Sequence, residues 1–391
     1  MRLLFIASRF PHAQRQGDAH RAYHLLKQLR QHHEITLIAS CDASATVDVD
    51  KMRELCDRFI PVAVSSADGV KSIFQRKVAS LPLQVLYFCP RNFAEAVENA
   101  VQTDRFDLAH VQLARMGPTL DFLGRVPSVI DFVDALSLNM FRRAEREVWP
   151  KTWLFDMEGR RMACYEQCLI KKTSMQMVNS PVDKKALGDH ATIHVVPNGV
   201  AIEDYRFRGT RRGNQDIIFS GNMDYFPNVD AAVFFAEEVF PLVRVQFPRS
   251  RLLIAGANPT GRVSEFGNIP GVVVTGAVPD LRSHIQDASV AVSPTRAGSG
   301  MQLKILEAMA LGTPVVATSR ALGGAAVENE KHLLIAETAE EFSRQVIRLL
   351  RDEALQERLA GSAREMVEKD FTWKESAKRL EMVYEQAMIT R

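Results

Sequence analysis

Short apolar runs alternate with longer amphipathic stretches along most of the chain. The first run, Leu3–Ala7, precedes a polar loop and a stretch of helical spacing from about Ala19 to Gln31, and Ile35–Ala39 then completes a strand–helix–strand unit. The second half repeats this alternation, with apolar runs at Leu252–Ala255, Val272–Thr275, Val290–Val292, Val315–Ala317 and Leu333–Ile335. The pattern predicts an α/β protein of doubly wound parallel sheets.

A polar stretch near the midpoint divides the pattern into two similar halves. The turn signal Pro197-Asn198-Gly199 stands just before it. We therefore predict a first domain over residues 1–200, a linker over 201–215, a second domain over 216–370 and a final helix over 371–391. The length agrees, because 391 residues exceed one ordinary domain and suit two.

Composition indicates an ordinary globular protein, with 46% apolar and 25% charged residues. The chain contains no apolar run of membrane-spanning length, and Leu3–Ala7 is too short for a signal sequence. The five scattered cysteines predict free thiols in a reducing cytoplasm rather than a zinc site. No basic stripe is interleaved with aromatics, which argues against nucleic-acid binding.

Candidate chemistry is densest between residues 293 and 318. Gly298 and Gly300 bracket Ser299 just before a predicted helix that Gly312 ends. A glycine loop at a helix N-terminus suits an anion, and Lys304 with Glu307 lies on one face of this helix. A nucleoside diphosphate would use the lysine for its phosphates and the glutamate for its ribose. The alternative is an amphipathic helix that carries a surface Lys–Glu ion pair.

Polar residues in the first half also stand where ligands meet parallel sheets. Gly17, Asp18 and Arg21 follow the first strand, and no G-x-G-x-x-G motif occurs there, which argues against a nicotinamide cofactor. His110 and Asp134 stand at the ends of two later strands, so we expect them near a ligand. Capping of the following helix remains an alternative for both Asp18 and Asp134.

The run Lys304-Ile305-Leu306-Glu307-Ala308-Met309-Ala310-Leu311-Gly312-Thr313-Pro314-Val315-Val316 resembles the donor-site signature of family-4 glycosyltransferases. The resemblance implies the GT-B fold, two facing Rossmann-like domains whose last helix crosses back to the first, and a bacterial exopolysaccharide-type subset. It implies catalytic roles for Lys304 and Glu307. Donor contacts are implied for Gly221, Asn222, Ser299, Gly300, Met301, Leu303, Lys304 and Glu307, and acceptor contacts for Gly17, Asp18, Arg21, His110 and Asp134.

The chain departs from the family pattern at three places. Ser299 stands where relatives carry a glutamate, Val133 takes the place of a histidine, and the arginine and lysine usual after Gly221 are missing. Arg296 is our predicted replacement for the missing phosphate cations and is added to the catalytic set. Because no carboxylate stands at position 299, a front-face mechanism is expected, in which the leaving phosphate assists the acceptor.

The predicted function is transfer of a sugar from a nucleoside diphosphate to a hydroxyl acceptor with retention, in cell-surface polysaccharide or glycan synthesis. The resemblance implies no cofactor and no metal. Partners would be a nucleotide sugar and a saccharide or lipid-linked acceptor, and residues 70–83 suggest peripheral contact with the cytoplasmic face of a membrane. A nucleotide-sugar epimerase and a non-catalytic nucleotide-sugar-binding subunit remain alternatives.

Overall fold

A computed structural model describes residues 1–13, 17–41, 52–75, 81–209, 213–296 and 300–389. The chain forms two compact units. Unit 1 comprises Met1–Pro197 together with Ser376–Arg391, and unit 2 comprises Asn198–Glu375. None of the helices in the described ranges is long and apolar enough to cross a bilayer.

Unit 1 is built on a seven-stranded parallel sheet of order β3-β2-β1-β4-β5-β6-β7. Its strands are β1 (Arg2–Ala7), β2 (Glu34–Cys41), β3 (Arg58–Ala63), β4 (Leu108–Gln112), β5 (Ser128–Val133), β6 (Met175–Val178) and β7 (Ile193–Val195). The helices between them are α1 (Asp18–Leu29), α2 (Ser66–Gln75), α3 (Leu83–Phe88), α4 (Arg91–Thr103), α5 (Leu136–Ala144), α6 (Lys151–Lys172) and α7 (Pro181–Ala186). Every residue of β4 and β5 is buried, as expected for strands covered on both faces.

Unit 2 contains a six-stranded parallel sheet of order β10-β9-β8-β11-β12-β13. The strands are β8 (Asp216–Ser220), β9 (Arg251–Ala255), β10 (Val272–Gly276), β11 (Val290–Ser293), β12 (Val315–Ala317) and β13 (Leu334–Ile335). The helices are α8 (Phe226–Phe234), α9 (Phe240–Gln246), α10 (Gly261–Glu265), α11 (Leu281–Asp287), α12 (Leu303–Leu311), α13 (Ala339–Arg351) and α14 (Glu353–Asp370). A last helix, α15 (Trp373–Ile389), lies almost entirely in the segment that groups with unit 1.

The predicted fold class is confirmed, since each unit is a parallel sheet flanked by helices with the strand order 3-2-1-4-5-6 of a Rossmann-like fold. Phe219, Phe235, Phe240 and Phe342 are among the fully buried side chains of unit 2, which fix its helices on the sheet. Helix α12 ends where the sequence predicts, because Gly312 follows it in the left-handed conformation with φ of 82°.

Candidate active site

The carboxyl end of β8 turns sharply at Gly221, which has φ of 154°. Its backbone is approached closely from two sides. A Cβ atom at Gly221 would lie 3.0 Å from Nζ of Lys304, and one at Gly256 would lie 1.9 Å from the carbonyl oxygen of Gly221. Only glycine fits both places, and the turn brings backbone and ammonium together at one edge of the sheet.

Lys304 lies in the first turn of α12 and points toward this glycine turn. Its Nζ donates a hydrogen bond of 2.8 Å to Oδ1 of Asn228 and lies 4.2 Å from the centroid of the Phe219 ring. Burial lowers the pKa of the ammonium to about 7, although Glu307 counteracts part of this shift. The result is a cation held in place by a neutral amide and an aromatic ring, and poorly compensated by negative charge.

Asn228 connects Lys304 with the turn after β8. While Oδ1 accepts from Lys304, Nδ2 donates 2.9 Å to the carbonyl oxygen of Asn222. The Asn222 side chain in turn accepts from Nδ2 of Asn258 at 3.2 Å. Asn228 was not among the sequence candidates, because its positioning role depends on a contact between two residues that are 76 positions apart.

Glu307 has a partner of its own one turn further along α12. The hydroxyl of Tyr205 donates to Oε1 of Glu307 at 2.9 Å, and burial raises the pKa of this carboxyl group above its usual value. Burial and the neighbouring carboxylate raise the pKa of Tyr205 as well. Lys304 and Glu307 are both partly buried and hydrogen-bond to Asn228 and Tyr205, so the alternative of a surface Lys–Glu ion pair is wrong. Tyr205 was not among the sequence candidates.

Arg296 is engaged by a carboxylate. Its Nε and Nη2 donate to the two oxygens of Asp230 at 3.1 and 2.9 Å, and its guanidinium lies 4.4 Å over the ring of Phe234. This bidentate pair connects the residues after β11 to α8 and uses the same guanidinium donors that a phosphate would need. The proposed role of Arg296 at a phosphate stays a prediction and requires the pair with Asp230 to open.

The residues that precede α12 pack closely against a second glycine, Gly323. Gly300 has φ of 72°, and a Cβ atom at Gly323 would lie 2.3 Å from the carbonyl carbon of Gly300. The amide of Gln302 donates to the carbonyl of Ala321 at 3.0 Å. Met301 follows Gly300, and Leu303 is the first helical residue. Ser299 lies outside the residues that the structure describes, and its donor contact stays a prediction.

Gly17 and Asp18 lie at the start of α1 in unit 1. Gly17 is the exposed residue before the helix and has φ of 78°. Asp18 is the first helical residue, and its carboxylate accepts from the Ser8 hydroxyl at 3.1 Å rather than from a helical amide. The alternative role of Asp18 as the helix cap is therefore wrong, while its contact with an acceptor stays a prediction.

Arg21 and His110 belong to a buried polar cluster. Nε of Arg21 donates to Asp131 at 2.7 Å, and both side chains are fully buried. His110 lies between the ring of Phe5, with ring centroids 4.2 Å apart, and the hydroxyl of Tyr384, 2.8 Å from its Nδ1. Burial lowers the pKa of His110 to about 4, so the imidazole is neutral at pH 7. This placement supports a structural role, because neither side chain reaches the surface of unit 1.

Asp134, by contrast, is only partly buried. It follows Val133, whose φ of 64° is strained for a β-branched residue, and its amide donates back to Phe132 at 2.8 Å. Burial and the nearby Asp183 carboxylate raise the pKa of Asp134. Helix α5 begins after Ala135 without a side-chain cap, so capping by Asp134 is wrong. Its Oδ1 accepts from Nδ2 of Asn179 at 3.4 Å, and its contact with an acceptor stays a prediction.

Within the described ranges, no three His, Cys, Asp or Glu side chains converge as metal ligands would. Residues 214–352 match the family described as Glycosyl transferases group 1. The second unit carries a glycosyl transferases group 1 domain. The group 1 domain spans β8 to α13 and therefore contains Gly221, Asn228, Lys304 and Glu307.

Known proteins similar to the chain agree with this domain. Phosphatidyl-myo-inositol mannosyltransferase of Mycobacterium leprae is 28% identical over 214 residues, which cover 51% of this chain and 55% of that protein. The chain spans about half the length of the curated relatives it matches.

Solved structures resemble the chain over nearly its whole length. Sucrose-phosphate synthase from Thermosynechococcus elongatus superposes with a TM-score of 0.76 at 17% identity and covers 100% of both chains. Anabaena HepE in complex with UDP superposes with a TM-score of 0.67 at 14% identity, over 98% of this chain and all of that one. At these identities the likeness concerns the fold alone. That fold, with its two parallel-sheet domains, is GT-B.

Proposed function

We propose that the protein is a glycosyltransferase that moves a sugar from a nucleoside diphosphate to a hydroxyl acceptor with retention of configuration. The group 1 domain supports the reaction class. The Mycobacterium leprae relative is described as a mannosyltransferase, and HepE has been solved with UDP and with UDP-glucose, which supports a nucleotide-sugar donor. The acceptor in this proposal is a saccharide or a lipid-linked glycan at the cytoplasmic face of a membrane.

The observation that carries the proposal is the buried ammonium of Lys304 beside the Gly221 turn. A departing diphosphate develops negative charge, and a cation already fixed in a poorly hydrated place stabilises that charge without reorganisation. Because Gly221 has no side chain, phosphate oxygens would approach both its backbone and the nearby ammonium at hydrogen-bond distance. Lys304 therefore takes the electrostatic role, and Asn228 holds it in position.

Glu307 would orient the ribose through its carboxylate. Its current partner, the Tyr205 hydroxyl, occupies one oxygen and leaves the other for a ribose hydroxyl. Retention would follow from a front-face reaction, since Ser299 offers no carboxylate for a covalent intermediate. Metal independence is part of the proposal, because Lys304 and the backbone amides before α12 would supply the charge stabilisation.

The test combines binding with turnover. Nucleoside diphosphates and their sugars are titrated against the wild type, Lys304→Ala, Glu307→Ala and a matched control, Lys331→Ala, whose side chain is exposed on the same unit. We expect donor affinity and turnover to fall in the first two variants only. Unchanged affinity and turnover in Lys304→Ala would refute the site.

The same assay separates the rival functions. An epimerase consumes the donor without any acceptor, and a binding subunit shows affinity without turnover on any saccharide or lipid-linked acceptor. NMR of the product distinguishes retention from inversion at the anomeric carbon.

A further inference from the structure

The tip of a helical hairpin in unit 1 exposes two tryptophans. Helices α5 and α6 pack against each other and are joined by residues 145–150. The guanidinium of Arg143 on α5 lies 4.3 Å over the ring of Phe155 on α6, which fixes the two helices at this end. Trp149 is 83% exposed and Trp153 is 62% exposed. The hairpin therefore carries its largest apolar side chains into solvent.

Neighbouring side chains extend this surface into a patch. Val148 and Leu154 are exposed next to the two tryptophans. Isolated exposed apolar residues are ordinary, but contiguous ones mark surfaces that meet a partner. The third tryptophan of the chain, Trp373, is buried. Indole rings combine an apolar body with a polar N–H group, a combination enriched at the headgroup level of membranes.

Basic side chains outnumber acidic ones around the patch and are the more exposed partners of its ion pairs, although Glu145 is exposed as well. In the pair between Lys151 and Glu147, the lysine side chain is 65% exposed and the glutamate 13%. In the pair between Arg160 and Asp156, the arginine is 75% exposed and the aspartate 43%. Residues 141–161 contain six basic and four acidic side chains, and the basic members are the more exposed ones in each of these pairs. The patch thus presents a cationic rim.

We propose that the α5–α6 tip docks on an anionic lipid surface, with Trp149 and Trp153 entering the headgroup region and Arg146, Lys151 and Arg160 facing lipid phosphates. An apolar centre with a cationic rim is the chemistry of peripheral membrane segments. A second copy of the chain fits poorly, because a two-fold contact would set the cationic rim against itself. The inference rests on unit 1 alone and does not depend on the donor site.

This surface differs from the one that the sequence suggested. Residues 70–83 were the predicted membrane contact, and helix α2 does expose Val70 and Phe74. Residues 76–80, which belong to that predicted contact, lie outside the described ranges. The hairpin tip exposes two tryptophans, whereas helix α2 exposes one phenylalanine, and basic side chains surround the tryptophans.

Intrinsic fluorescence tests the proposal directly, because two of the three tryptophans lie in the patch. The full chain is titrated with vesicles of phosphatidylcholine mixed with phosphatidylglycerol and with vesicles of phosphatidylcholine alone. We expect a blue shift and co-sedimentation with the anionic vesicles. The single variant Trp149→Ser keeps Trp153 as reporter, and the double variant Trp149→Ser/Trp153→Ser should lower the partition coefficient at least about tenfold in flotation.

Two further variants distinguish the contributions. Arg146→Gln/Lys151→Gln should weaken binding to anionic vesicles severalfold, and the difference from the wild type should shrink as salt rises. Val245→Ser, an exposed apolar position on unit 2, is the matched control and should bind as the wild type does. Circular dichroism should show unchanged folding, since every altered side chain is exposed.

Three outcomes would overturn the proposal. One is a wild type that does not bind anionic vesicles. Another is binding that the double tryptophan variant retains, or that Phe74→Ser abolishes instead, which would move the contact to residues 70–83. The third is self-association that the tryptophan variant removes while no vesicle binding occurs, which would assign the patch to a second copy.

Discussion

Nucleotide-sugar binding should be accompanied by uptake of a proton, because the Lys304 side chain is partly deprotonated in the empty site. Burial lowers its pKa from 10.5 to about 7. This shift corresponds to roughly 5 kcal/mol by which the site disfavours the charged form. A diphosphate beside Nζ would reverse that penalty and keep the lysine protonated.

The sign and size of the pH dependence follow. If only the ammonium form binds, the dissociation constant should rise roughly 25-fold between about pH 6.5 and about pH 8.5, since Lys304 in the ligand-free protein has a pKa of about 7. The folded, ligand-free protein binds fewer protons than the unfolded chain between pH 7 and 10.5, so its stability should rise with pH there relative to Lys304→Met. Affinity and unliganded stability therefore change in opposite directions.

Calorimetry can count the proton. A nucleoside diphosphate sugar is the appropriate ligand, because its diphosphate is esterified at both ends and does not titrate in this interval. Titrations in two buffers of different ionisation enthalpy should show uptake of about 0.9 proton near pH 8 and about 0.1 near pH 6. Lys331→Met should behave as the wild type. Equal proton uptake in the wild type and Lys304→Met, or a flat pH profile in both, would refute this account of the site.

Three further substitutions test buried side-chain contacts, one within unit 2 and two within unit 1. Asn228→Leu removes the acceptor that holds Lys304 and should weaken donor affinity about tenfold, measured by the same titration, with little change in global unfolding. Asp131→Asn leaves the buried guanidinium of Arg21 without its counter-charge and should lower the unfolding free energy by about 3–5 kcal/mol in urea, while an unchanged midpoint would contradict a structural pair. Tyr384→Phe leaves a buried histidine nitrogen unsatisfied and should cost about 1–3 kcal/mol in the same assay, with donor affinity intact.

Local spacing predicted the backbone framework because its signals lie within a few residues of each other. Gly312 ends α12 since a left-handed cap favours glycine directly after the helix. The alternation of apolar runs predicted two parallel sheets for a similar reason. The donor contact of Gly221 was implied by the family resemblance instead and stays a prediction, while a Cβ atom at this residue would lie 3.0 Å from Nζ of Lys304.

Side-chain partners distant in sequence could not be predicted in the same way. Arg296 and Asp230 are 66 residues apart, and Arg21 and Asp131 are 110 apart. The sequence marked both arginines as candidate ligands of a phosphate or hydroxyl, because a guanidinium suits either ligand. Only tertiary packing decides whether a carboxylate of the same chain meets that guanidinium first.

The neutral hydrogen-bond partner Asn228 determines how Lys304 behaves in the empty site. A second cation at this distance would repel the ammonium and lower its pKa further, whereas an amide oxygen accepts its hydrogen bond without adding charge. A carboxylate in the same place would hold the ammonium tightly but would also repel an incoming diphosphate. Asn228 therefore lets Lys304 remain ordered when the site is empty and still transfer its hydrogen bond to a phosphate, and the proton that accompanies binding is the expected consequence of using one buried lysine for this purpose.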